Sequence, residues 1–134
     1  MPVPFQARFR RWKTREENAM TQIQMDSGYS VLINVFTVEP SRQQELIDLL
    51  VEATEDVMRH LPGFVSANIH KSPDGTRVAI YAQWRSEADW RAMLKNPEAL
   101  KHMKQATEIS QPAFSMYDLV HVEDRAAVAT SAEA

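Results

Sequence analysis

Period-two counting along four apolar segments collects six hydrogen-bonding side chains on one sheet face: Asn34, Ser66, Asn68, His70, Trp84 and Asp118. Their companions there are Leu32, Phe36, Val78, Ile80, Ala82, Phe114 and Met116. A pure core does not gather so many polar groups, because each one buried without a partner costs free energy. An apolar hollow with a few hydrogen-bonding groups is how small apolar ligands are held. Plainer readings stay open for each: Asn34 as a structural hydrogen bonder, Trp84 as core filler, His70 as a rim residue, Asp118 as an ion-pair partner. His60, His102 and His121 show no ligand spacing and no carboxylate partners, so no metal site is expected.

The segments that position these groups are punctuated clearly. Residues 29–38 (YSVLINVFTV) read as a strand, rich in β-branched and aromatic residues and closed by Pro40-Ser41. Ser41 and Gln44 form a capping-box pattern, opening a helix to about Leu61 with Leu46, Leu49, Leu50, Ala53, Val57 and Leu61 inward. Pro62-Gly63 stop it. A β-hairpin follows, with strands near 64–71 and 76–84 joined at Ser72-Pro73-Asp74-Gly75, where Asp-Gly tolerates positive φ. Ser86 caps a short helix, and Asn96-Pro97 breaks it. A renewed helix runs over 98–110 with Leu100, Met103 and Thr107 inward. A last strand spans 113–123. The order β-α-β-β-α-β predicts an α+β, ferredoxin-like fold: a four-stranded antiparallel sheet with its helices on one face. The other face would show Val31, Ile33, Val35, Ala67, Ile69, Ala79, Tyr81, Tyr117 and Leu119. So apolar a face calls for a partner, and a homodimer with sheets packed together is the economical one.

The chain's 134 residues suit one domain. At 44% hydrophobic and 25% charged it reads as soluble. A formal charge of −3 gives no support for nucleic-acid binding. With no cysteine, disulfides and thiolate chemistry are excluded, which fits a cytoplasmic location. No apolar run approaches the roughly 18 residues of a membrane span, and no signal peptide is evident. Three segments are expected: a basic, then polar, flexible extension over 1–27, a folded domain over 28–123 and a disordered tail over 124–134.

VLINVFTVEP, SANIHKSPDGTRV, YAQW and the following Ser-Glu-Ala-x-Trp resemble the antibiotic biosynthesis monooxygenase family over about residues 29–123. The resemblance implies a dimeric α+β barrel with a pocket in each subunit between sheet and helices. It also implies oxidation of electron-rich polycyclic aromatics by O2 with no flavin, haem or metal. By the same resemblance Asn34 would stabilise a developing oxyanion, Trp84 would contact substrate, and His70 would exchange the proton. Phe36, Asn68, Ile80, Phe114, Met116 and Asp118 would shape the substrate site, with Trp90 and Met93 over its opening. The quinone-forming members carry asparagine four residues before the tryptophan, where this chain has Ile80. The haem-degrading branch has a histidine about ten residues after it, where this chain has Leu94. The leading expectation is a cofactor-independent monooxygenase acting on a small aromatic or quinol. The alternatives are a non-catalytic binder of an apolar metabolite, and a polyketide cyclase or isomerase.

Overall fold

Strand β1 (Ser30–Val38) alternates β-branched side chains and is one of the two inner strands of a four-stranded sheet, between two antiparallel neighbours. A computed structural model describes residues 20–126. After β1 the chain makes a 3-10 turn, Pro40–Arg42, and then helix α1 (Gln43–Asp56). The expected capping box does not form. Pro40 has no N–H to satisfy and takes the first position of the turn, so Ser41 already lies inside it. The Gln44 amide donates instead to Asp48 at 3.0 Å. Leu46, Leu50 and Ala53 are the buried face of α1, and its end gives way to a second 3-10 turn, Met58–His60.

Gly63 reverses the chain at φ +83°, and a Cβ there would collide with the side chain of Asp89. Strands β2 (Phe64–Lys71) and β3 (Arg77–Trp84) form the hairpin. In its turn only Gly75, at φ +84°, takes the left-handed conformation; Asp74 does not. Helix α2 (Glu87–Met93) is capped by Ser86, whose Oγ accepts from the Asp89 N–H at 3.1 Å. Helix α3 (Pro97–Glu108) is capped in the same way by Asn96, accepting from Ala99 N–H at 3.0 Å. Strand β4 is Ser110–Tyr117, shifted from the expected 113–123. Its Pro112 pairs with Phe36 on a sheet edge, where proline is tolerated, and pairing stops at Tyr117 because β1 runs out at Ser30. The sheet order is β2-β3-β1-β4, all antiparallel, as the ferredoxin-like reading requires.

One irregularity changes the site. Phe64 pairs with Trp84, yet Ser66 pairs with Gln83, so Val65 is an extra residue in β2. Beyond this bulge every side chain of β2 changes face. Ala67 and Ile69 therefore face the helices, opposite Ala82 and Ile80. Ser66, Asn68 and His70 lie on the other face, against the expectation. There Ser66 Oγ donates to Gln83 Oε1 at 2.8 Å, and the Asn68 amide donates to Tyr81 O at 3.0 Å. The chain before β1 crosses the same face: Thr21 Oγ1 donates to Asn68 Oδ1 at 2.9 Å, and Gln83 Nε2 donates to Gln22 O at 2.9 Å. Gln83 is consequently only 3% exposed. Residues 1–19 and 127–134, most of the predicted extension and tail, lie outside the described residues. Among the described residues no helix is long and apolar enough to cross a membrane.

Candidate functional site

Between the sheet and the helices lies a cavity of about 140 Å³. Its sheet wall is Leu32, Asn34, Phe36, Ala67, Ile80, Ala82 and Trp84; α1 contributes Leu50, Ala53 and Thr54, and the turn after it Met58. Phe64 of β2, Trp90 and Met93 of α2, Leu94 just after it, and His102, Met103 and Ala106 of α3 complete it, while Thr107, Pro112 and Phe114, all exposed, stand at its mouth. Of the sequence-predicted site, Asn34, Phe36, Ile80, Trp84, Trp90, Met93 and Phe114 come together here. Trp90 and Met93 are 6% and 7% exposed, so they are wall and not cover; Phe114, 55% exposed, flanks the entrance.

Four predicted residues are not in the wall. Asn68 and His70 are turned away by the β2 bulge, and His70 is exposed beside Ala79. Asp118 lies beyond the end of β4, exposed. Met116 packs against the aromatic cluster around Trp84 and Trp90 without lining the cavity.

His102 was not expected there. Counting α3 from Leu100 misphases the helix, since Leu100 is 45% exposed and the buried anchors are Ala99 and Ala106. The spacing of those two alanines, seven apart with His102 and Met103 between, is the signal that identifies the inner stripe.

Aromatic contacts fix the walls. Trp84, 2% exposed, meets Phe64 edge-on with centroids 5.6 Å apart at 86°. Trp90 lies 5.9 Å from Phe114, and the Arg91 guanidinium sits 5.8 Å from the Trp90 ring centroid. The two threonines of the lining bond to backbone carbonyls: Thr54 to Leu50 at 2.8 Å and Thr107 to Lys104 at 3.1 Å. Three buried side-chain atoms have no such outlet. Asn34 Oδ1, Trp90 Nε1 and His102 Nδ1 lack a hydrogen-bond partner, and they are the complete set of such atoms among the described residues. All three belong to the wall of this one cavity. Among the described residues no Asp, Glu, Lys, Arg or Tyr lines it, and no cluster of metal-binding side chains occurs. Such a hollow can take up an apolar molecule by packing, with an amide, an indole and an imidazole among the polar groups of its lining.

A sequence profile of the antibiotic biosynthesis monooxygenases matches residues 30–105. The chain belongs to the antibiotic biosynthesis monooxygenase family. Among family relatives, it is 46% identical over 102 residues to the tetracenomycin-F1 monooxygenase of Streptomyces glaucescens, covering 76% of this chain and 91% of that one. The fold matches SnoaB, a cofactor-independent oxygenase from Streptomyces nogalater, with TM-score 0.62 at 19% identity over 71% of this chain and 96% of that one. A monooxygenase from the gene ActVA-Orf6 of Streptomyces coelicolor, in complex with nanaomycin D, gives TM-score 0.61 at 26% identity, covering 73% and 95%. As an antibiotic biosynthesis monooxygenase the chain is an enzyme of the oxygenase class, and the ferredoxin-like fold is the one its relatives share.

Proposed function

We propose that this chain oxidises a phenol-bearing polycyclic aromatic with O2, without an organic or metal cofactor, in the biosynthesis of a polyketide antibiotic. The observation that carries this reading is that the three residues bearing unpartnered buried polar atoms all line one uncharged, apolar cavity. Leaving each unpaired costs about 1–3 kcal/mol, which a bound oxygenated ring offsets. The relation to a tetracenomycin-F1 monooxygenase supports the choice of a polycyclic substrate, and the cofactor-independent oxygenase of the same fold supports chemistry between substrate and O2 alone.

Ground-state O2 is a triplet and does not react directly with a closed-shell phenol. A phenolate passes it one electron, and the resulting radical and superoxide combine at carbon to a peroxide. Protonation and loss of water then leave a carbonyl, so one CH2 and one O2 give one C=O and one H2O. Asn34 is suited to the developing charge: its amide N–H donates to the oxyanion. Trp84 supplies a rigid aromatic wall, and exclusion of water strengthens these interactions. About 140 Å³ is the size of a cavity that takes a single benzene ring. The reacting ring of a fused system fills it, and the remaining rings extend past Phe114.

Oxygen uptake with a dihydroxyanthrone tests the reading. One O2 consumed per quinone formed, unchanged by chelator and lost in Asn34→Ala, is the expected result; no uptake across a panel of phenolic polycycles counts against it. Ile80, an anchorless neighbour of Asn34, favours a second reading in which the cavity sequesters an apolar metabolite. Tight binding in air with no product supports that one. The sheet face bearing Ile33, Val35, Ala79 and Tyr81 is assigned to a second copy of the chain, as the dimeric reading of the family requires.

A further inference from the structure

We propose that His102 is the catalytic proton acceptor and donor of this site, the role that the resemblance gives to His70. This rests on the oxygenase reading above. The first support is placement. His70 is exposed on the far side of the sheet, whereas His102 lines the cavity from α3. The second is elimination: among the described residues lining the cavity, His102 is the one side chain able to take a proton and give it back as a general base and acid. No carboxylate, amine, guanidinium or phenol reaches the cavity from β1, β3, β4 or any helix. The third is the state of its ring. Nδ1 is sealed from solvent and has no protein partner, while the residue as a whole keeps partial exposure. A ring nitrogen with no protein partner, on a residue that lines the cavity and keeps partial exposure, is free to serve as a proton relay.

The step balances. Nδ1 takes the phenol proton, leaving the phenolate that reduces O2 and the imidazolium that offsets its charge. After carbon–oxygen bond formation the imidazolium returns the proton to the peroxide, which loses water and leaves His102 neutral.

The experiment compares wild type, His102→Ala, His102→Gln and His70→Ala with a dihydroxyanthrone, each variant checked for folding by circular dichroism. The expected result is a kcat about 100-fold lower in both His102 variants, in the usual range for general acid–base catalysis, with KM within about threefold. His70→Ala retains wild-type values. Wild-type kcat/KM falls as the assay is acidified from about pH 8 to about pH 5; this limb is absent from His102→Ala, and added imidazole restores part of its rate. Wild-type kcat in both His102 variants overturns the proposal, as does a wild-type profile flat through that range. If wild type consumes no O2, the oxygenase reading fails, and the same ligands are scanned anaerobically for phenolate absorption on binding. Phenolate formed by wild type and lost in His102→Gln upholds the proton transfer; a ligand bound as neutral phenol by wild type overturns it.

Discussion

Asn34 and Ile80 face each other directly across the β1–β3 ladder, with Phe114 on the other flank of Asn34. Side chains so paired have Cβ atoms about 4.5–5.5 Å apart. The cavity floor is therefore a row of one amide between two hydrocarbon groups. Ile80→Asn would place a second amide beside the first. We expect a faster oxygen uptake, by less than the roughly 100-fold associated with an optimised oxyanion donor. The buried amide should lower stability by about 1–3 kcal/mol. Oxygen-electrode rates and thermal melts read both effects, and an unchanged rate would show that this position does not meet the reacting oxygen.

Asn34 itself should display a conflict between stability and activity. Its Oδ1 is buried and unpaired, so Asn34→Leu removes a desolvation penalty of about 1–3 kcal/mol and adds apolar packing of similar volume. The melting temperature is expected to rise by several degrees while turnover falls about 100-fold or more. A lower melting temperature would mean that the amide has a structural role.

The topology was legible because punctuation marked the junctions at Pro40, Gly63, Ser86 and Asn96-Pro97; it failed at Gln111-Pro112, where an edge strand accepts the proline. The site was legible in part. Asn34 and Trp84 lie on strands of regular period, and counting placed both in the hollow; Trp90 and Met93 were expected over its opening and are part of its wall. His70 and Asn68 were misplaced because the extra residue of β2 is Val65, a good strand former with none of the glycine signal that marks many bulges. His102 was missed because Leu100 outweighs alanine on any hydropathy scale and draws the helix phase toward itself. Packing chose the small residues instead: Ala99 and Ala106 are 0% and 2% exposed, letting α3 approach closely enough to bring His102 to the cavity.

The hairpin turn carries a pH dependence of its own. The Thr76 N–H, then the Thr76 and Ser72 hydroxyls, donate to Asp74 Oδ1 and lower its carboxyl pKa from 3.8 to about 2. In the unfolded chain the proton binds more readily, so acid favours unfolding. The contribution is complete above 3.8 and disappears as pH falls through about 2. Acid titrations of stability should therefore be shallower over this window in Asp74→Ala than in wild type. Parallel curves would mean that the turn opens before the carboxylate titrates.

The remaining prediction concerns the far face of the sheet. Ser66, Asn68, Gln83 and the crossing segment at Thr21 and Gln22 close one side of it with hydrogen bonds. The bulge thus narrows the apolar surface to a central patch of Ile33, Val35, Ala79 and Tyr81, continued by Ala113 and Tyr117 on β4. Tyr117 is 50% exposed in the single chain, an unfavourable place for a large aromatic beside other apolar groups. Two such patches packed together would bury it. Sedimentation should give a dimer for wild type, and Val35→Glu, which puts a charge at the centre of the patch, should give a monomer. Because Val35 points away from the cavity, the variant should still bind the aromatic ligand. A wild-type monomer at micromolar concentration would leave the patch without its proposed partner.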